Sequence, residues 1–417
     1  MNFFRRVFND KYFILADQIL TSLMNFGSVL VLSSLLNENI FSDFVILYSY
    51  STLANIVLTT IFSAPILVFG IKKWNEEKFN YLAVNILYFA IFNILFSLIF
   101  FVFLRIQLGE IFLSNFLMMN FGMTLIEIFK RFIFSNKVIS LVFVPFSSLL
   151  MNIVFFGGVF VFRETLDMNT ILTIYWVSYV SSSLVFVALI YFITSVKKEF
   201  SLLRAVNRDF SRTIFLTHFK YAKWVLAGAV SFWVYTQGIY IFGKAIGVSD
   251  FTISKLRIIQ NLFGIFTILL IAMDNYLTPV FSIKALESED LIPVVMSDFY
   301  KRYTKPLIFI YVMSIPVIYL AYYLLYQDKY GGGILYIFLV WLTQLIAIST
   351  KPISIALKAK EVTYPLFFSH LFAAISMIVF GGVLIVFLND LGLVLTLLLA
   401  FIVANFMNYI YFKRVFN

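Results

Sequence analysis

Long apolar runs alternate with short charged or turn-rich breaks along the whole chain. Twelve runs stand out, at about 13–36, 44–70, 81–104, 111–135, 138–162, 171–195, 224–246, 252–281, 306–326, 334–357, 365–388 and 391–412. Each is near or above the ~20 residues that a helix needs to cross ~30 Å of hydrocarbon. The two longest predict tilted helices, or helices that run past the bilayer. A transmembrane β-barrel would show alternating segments of about ten residues instead. The pattern therefore predicts an all-α membrane protein with twelve transmembrane helices in two six-helix bundles, 1–195 and 224–417, joined by a basic connector, 196–223.

Several of these runs are not uniformly apolar. In the eighth, Arg257, Gln260, Asn261, Gly264, Thr267, Asp274, Asn275 and Thr278 recur at steps that keep them on one helical face. The fourth carries Asn120, Thr124, Glu127 and Arg131 beside Lys130, and the first carries Asp17, Thr21, Asn25 and Ser28. Thr52, Asn55, Thr59 and Ser63 stripe the second, and Gln344 and Lys351 share a face of the tenth. An ionisable group inside a span costs roughly 2.5–3.5 kcal/mol on insertion scales, so each needs a reason. Isolated Asn and Thr residues read as glue between helices. The charges together read as the lining of a hydrated central cavity. Lys255 and Arg257 fall near one end of their span, where snorkelling to the interface is the alternative. His370 reads as a hydrogen-bonded packing residue.

Composition agrees with lipid as the solvent. The 417 residues are 62% hydrophobic and only 12% charged, with a mean hydropathy of +0.97, against about 25% charged in soluble domains. This excludes soluble enzymes, nucleic-acid binders and disulfide scaffolds. With no Cys there is no thiolate metal site. The net charge of +10 matters through its distribution. Twenty-five Lys and Arg fall on the side of the termini and even-numbered loops, and four, Arg105, Arg163, Lys244 and Lys329, on the other. By the positive-inside rule both termini are expected in the cytoplasm. The first run lacks a small-residue cleavage site and is expected to stay as an anchor. The connector, with Lys197, Lys198, Arg204, Arg208, Arg212, Lys220 and Lys223, reads as a linker helix lying on anionic lipid.

The two halves also echo each other. The turn Phe41-Ser42-Asp43-Phe44 corresponds to Val248-Ser249-Asp250-Phe251, and Ala64-Pro65 corresponds to Thr278-Pro279. Six spans per half give both halves one orientation, hence a parallel repeat about an axis along the membrane normal. No phosphate-binding P-loop, metal-ligand cluster or sizeable outer loop with acid and base groups is visible, so neither a catalytic site nor a metal site is expected.

The turn from Asn37 to Phe44, the segment from Phe129 to Lys137, and the run from His218-Phe219-Lys220-Tyr221-Ala222-Lys223-Trp224 to Ala272-Met273-Asp274-Asn275-Tyr276-Leu277-Thr278-Pro279 carry a family likeness. They resemble the Wzx-type flippases of O-antigen and capsule assembly, in the polysaccharide-transport branch of the MOP (MATE-like) exporter superfamily. The chain departs from that pattern where the family often has Gly beside the aromatic of the turn; here Ser42 and Ser249 stand there. The resemblance implies a bacterial inner-membrane protein that moves undecaprenyl-pyrophosphate-linked oligosaccharide by alternating access. Its implied partners are that glycan, membrane lipids, and the polymerase and chain-length proteins of the same pathway, with no nucleic acid. For such a cargo Arg257, Lys130, Arg131 and Lys351 are expected to attract the pyrophosphate, with Lys255, Gln260, Asn261 and Asn55 as further substrate-binding groups. Asp17, Asp274 and Glu127 are the expected ion-coupling acids, because an acid in the first span resembles some MATE-type antiporters. No cofactor is expected beyond coupling to an H⁺ or Na⁺ gradient. The alternatives are a MATE-like multidrug antiporter and a membrane glycan polymerase or ligase.

Overall fold

The computed structural model describes residues 10–108, 113–136, 140–197, 207–264, 291–359 and 364–416, together with 266, 270, 273, 277 and 281. Among them there is no strand. The helices are α1 (Asp10–Leu35), α2 (Glu38–Leu58), α3 (Ala64–Trp74), α4 (Lys78–Leu108), α5 (Leu113–Asn136), α6 (Phe143–Val161) and α7 (Met168–Lys197). There follow α8 (Arg208–Thr236), α9 (Gly238–Ile246), α10 (Asp250–Leu262), α11 (Leu291–Tyr330), α12 (Ile334–Ala359), α13 (Tyr364–Ser376) and α14 (Gly382–Phe416).

Helices start where a short polar side chain takes an otherwise orphaned N–H. Asn37 Oδ1 accepts from Ile40 N at 2.8 Å ahead of α2, and Ser249 Oγ accepts from Thr252 N at 3.3 Å ahead of α10. Asp167 Oδ1 does the same for Thr170 N at 2.7 Å. Hydrogen bonds from the Thr170 side chain and N–H hold that carboxyl below its ordinary range. Helix α9 ends at Gly247, φ +91°, where Val248 N donates to Gly243 O at 2.9 Å and Gly247 N to Lys244 O at 3.1 Å. That closure needs a left-handed residue, which glycine supplies without steric cost.

Among the described residues, eight helical stretches are long and apolar enough to cross a membrane, nine if the bent pair α8 and α9 is one span. The chain is a multi-pass membrane protein, but the count of twelve is not confirmed. The fourth expected span is the helix α5, whose apolar run is interrupted by Glu127, Lys130 and Arg131. The eighth falls largely outside the described residues. The eleventh and twelfth form one apolar stretch, Tyr364–Phe416. That stretch turns at Asn389, φ +45°, and doubles back, so that Thr396 lies against Gly381 and Gly392 against Leu384. A Cβ on Gly392 would stand 2.3 Å from the Leu384 carbonyl oxygen. We expect Gly392→Val to open this hairpin at about 1–3 kcal/mol, read as a lowered midpoint in thermal unfolding in detergent.

The chain divides into two compact units, Met1–Val31 with Leu47–Leu226 and Leu32–Ile46 with Ala227–Asn417. Both carry large apolar side chains outward, such as Phe192 in the first and Phe387 in the second. Both also bury polar ones. In the first unit α5 and α6 pack on α7, and α3 and α4 on α5. Its interior holds Asn85, Asn93, Asn120, Ser147, Ser148 and Asn152. This distribution suits a lipid surround, where hydrogen bonds between helices replace an apolar core as the specific contact.

One such contact repairs a break. Pro65 has no N–H to offer the Ile61 carbonyl four residues earlier, and the backbone over Thr59–Ser63 widens into a π-helical turn. His218 Nδ1 lies 3.0 Å from Ile61 O, and its Nε2 lies 2.7 Å from the Tyr81 hydroxyl. A carbonyl only accepts, so Nδ1 carries the proton and Nε2 accepts from Tyr81. His218→Ala is expected to strand both partners, at about 1–3 kcal/mol per buried unsatisfied group. Thermal unfolding beside the exposed-site control Phe219→Ala checks this.

In the second unit α13 packs along α14, and α12 along α14 and α11. The two matching turns converge here. Lys244 Nζ is 3.5 Å from Asp43 Oδ1 and also pairs with Asp250 Oδ1, which accepts from Ser42 Oγ at 2.8 Å. One ammonium thus serves the carboxylates of both turns.

Candidate functional site

A cavity of about 460 Å³ opens inside the second unit. Helix α10 brings Arg257, Gln260 and Asn261 to it, because positions three and four residues apart share a helical face. Helix α12 presents a longer stripe, Thr343, Gln344, Thr350, Lys351, Ser354 and Lys358. Asn405 and Asn408 come from α14, and His370 from α13. None of the described residues that line the cavity is Asp or Glu. A chamber of this kind favours an anion.

Hydrogen bonds hold several of these groups in place. Arg257 Nη1 donates to Gln237 Oε1 at 2.8 Å, and its guanidinium lies 5.8 Å from the centre of the Tyr240 ring. The Tyr240 hydroxyl in turn donates to Gln260 Oε1. The planar fork is therefore braced from one side, which pre-organises it for a bidentate oxyanion. On α12 the small hydroxyls fold back on their own backbone: Thr343 Oγ1 donates to Leu339 O at 2.9 Å and Thr350 Oγ1 to Ile346 O at 2.8 Å. Lys351 and Lys358, two turns apart, thus supply the charge of that face. His370 Nδ1 lies 2.9 Å from the Tyr235 hydroxyl. The Asn408 Oδ1 atom is buried with no hydrogen-bond partner, in the wall of a cavity where a ligand hydroxyl could donate to it.

Four of the expected substrate-binding residues, Arg257, Gln260, Asn261 and Lys351, therefore line one cavity, together with Gly264 and Gln344 of the same stripes. The others lie elsewhere. Lys130 and Asp17, expected in different roles, are each other's partners: Nζ lies 2.8 Å from Oδ1, with side chains 4% and 2% exposed. Ser148 Oγ donates to the same Asp17 oxygen at 2.6 Å, and Lys130 donates to Thr21 Oγ1 at 3.1 Å. Glu127 and Arg131 pair along α5 at 3.8 Å. Asn55 Oδ1 accepts from Thr124 Oγ1 at 3.1 Å, which is the glue role. Lys255 Nζ donates to Gly332 O at 2.6 Å and lies 4.8 Å from the centre of the Tyr336 ring, away from the cavity lining. Asp274 lies outside the described residues.

The sequence reading missed Lys358, His370, Asn405 and Asn408 as lining groups. Lys358 had a signal, since it stands seven residues beyond Lys351 on the same face; it reads instead as a loop charge. The other three are single polar residues in apolar runs, and only packing brings them together.

The solved structures with comparable folds include three that bear on the site. A multidrug resistance MATE family transporter of the MOP superfamily, in an inward-facing conformation, superposes with a TM-score of 0.73 at 12% identity, covering 95% of this chain and 94% of its own. The lipid II flippase MurJ, in an inward closed conformation, gives 0.64 at 13% identity, covering 96% and 87%. A MOP superfamily transporter from Pyrococcus furiosus, described as having a binding pocket of reverse polarity, gives 0.54 at 13% identity, covering 98% and 96%. The fold is that of the MOP-superfamily transporters. No protein-family model matches the sequence, and no curated protein matches it. At 11–13% identity the MOP likeness shows the fold alone, so what the cavity carries has to be argued from its own side chains.

Proposed function

We propose that this chain is a flippase that carries a pyrophosphate-linked oligosaccharide lipid, an O-antigen or capsule repeat unit on undecaprenol, across the bacterial inner membrane by alternating access. The observation that supports it is the base-lined cavity of the second unit, whose described lining includes no Asp or Glu. Arg257, Lys351 and Lys358 meet the pyrophosphate, and the amides of Gln260, Asn261, Gln344, Asn405 and Asn408 replace water around the sugar. Burying an unpaired hydroxyl costs about 2–7 kcal/mol, so a headgroup with around ten of them faces tens of kcal/mol in bare lipid. A barrier of about 30 kcal/mol allows roughly one crossing per 10⁹–10¹⁰ s. A protein route is needed, and one that opens sideways leaves the lipid chain in the bilayer.

The twelve-span topology with both termini in the cytoplasm, and the division into 1–195, 196–223 and 224–417, belong to the same proposal. A lipid II flippase shares this fold, so the fold is compatible with a lipid-linked cargo. The likeness to a multidrug transporter favours the same rocking fold, but a cationic drug calls for acids where this cavity has bases. In a strain lacking its own flippase, the chain is expected to restore surface polysaccharide and to give no drug resistance; resistance without polysaccharide reverses the assignment.

A further inference from the structure

A second chamber in the same unit, of about 370 Å³, is the chemical opposite of the first. Phe299, Tyr300, Tyr311, Trp341, Leu345 and Ile348 enclose it, and the described residues that line it include no charged group. The two chambers share walls. On α12, Gln344, Ala347 and Lys351 line the polar one, while their neighbours Leu345, Ile348 and Pro352 line the apolar one. Beyond α10, Leu270 lines the polar chamber and Met273, three residues on, lines the apolar one. A ligand with a charged head and an apolar chain therefore finds both environments on adjacent faces of the same two segments.

The apolar chamber is built to present ring faces. Trp341 Nε1 donates to Tyr311 O at 3.1 Å and the Tyr300 hydroxyl to Ser349 O at 2.7 Å, so the polar edges of both rings are spent on backbone. The Tyr311 hydroxyl differs: it is buried with no hydrogen-bond partner. Val312 lines the chamber and, like Ile310 two residues before it, is exposed at the surface of the unit, which leaves a chain a way in from outside.

We propose that this chamber holds the unsaturated hydrocarbon chain of the same lipid whose anionic head occupies the base-lined cavity. The proposal rests on the reading of that cavity as a pyrophosphate site. Flat C=C segments stack on the aromatic faces. A saturated chain has no flat face to stack on them. The chain thus stays in an apolar surround while its headgroup is held in a polar one.

Photo-crosslinking on the purified full-length protein tests this. Three C20 probes carry a diazirine at the chain end: geranylgeranyl pyrophosphate, neutral geranylgeraniol, and saturated phytanyl pyrophosphate. Geranylgeranyl pyrophosphate is expected to label peptides containing Val312 and Leu345. Its yield should fall at least fivefold in both Leu345→Trp and Ile348→Trp, which fill the chamber, and excess inorganic pyrophosphate should lower it to the level of the neutral probe. The phytanyl probe should label several-fold less. Labelling on α8 or α14 in place of these peptides overturns the chain site while sparing the headgroup site. Equal labelling by the saturated probe also overturns the proposal. Labelling here by the neutral probe, with no gain from the pyrophosphate, supports the chain site and removes the headgroup reading instead.

Discussion

Arg257→Glu is expected to abolish surface polysaccharide while leaving the amount of protein in the membrane unchanged. The guanidinium is held by Gln237 at 2.8 Å and stacked toward Tyr240 on the wall of the cavity. A hydrogen bond to a charged group contributes about 1.5–3 kcal/mol, so Arg257→Ala alone should weaken anion binding about 10–100-fold. Reversal adds a carboxylate to a chamber whose described lining has none. Glu at this position repels the pyrophosphate and pairs with the lysines that should meet it. Arg257→Lys keeps the charge and loses the fork, so it should fall between the two. A complementation assay with a membrane-fraction immunoblot reads both outcomes; polysaccharide at the normal level with Glu at 257 removes Arg257 from the site.

The largest expected effect on stability comes from the first unit. Asp17 and Lys130 form an ion pair with almost no solvent access. Removing one partner strands a buried charge, which costs about 3–5 kcal/mol, whereas replacing both by neutral residues of similar volume is often nearly neutral. We expect Asp17→Ala to lower folded yield and unfolding midpoint sharply, and Asp17→Asn with Lys130→Met to recover most of the loss. The double variant also separates two roles. If Asp17 is the ion-coupling acid, the double variant folds but transports without dependence on the ion gradient. If the pair is purely structural, transport and its gradient dependence both survive.

That pair shows where sequence reading stops. Asp17 and Lys130 are both visible as charges on polar faces, 113 positions apart, and periodicity says which face each occupies. It does not say that the two faces meet, because register between helices is set by packing. The stripe on α10 was legible for the opposite reason: Gln260 and Asn261 stand three and four residues beyond Arg257 on one helix, so their common face follows from spacing alone. Lys351 joined them only through the fold. The turn at Asn389, φ +45°, was legible as well, because Asn389-Asp390 separates the runs 365–388 and 391–412; how closely the two arms pack, Thr396 against Gly381, was not. The matched turns around Asp43 and Asp250 were readable as a repeat; that both carboxylates share Lys244 was not.

The most direct test is made with the purified protein in liposomes whose inner and outer leaflets both carry a fluorescent undecaprenyl-pyrophosphate oligosaccharide, with a quencher added outside. The account predicts that the wild-type chain lets the quencher reach the inner-leaflet half over time. Liposomes with Arg257→Glu should stop at the half that faces out. A wild-type protein that leaves the inner half protected, or an Arg257→Glu variant that exposes it as fast as wild type, contradicts the account.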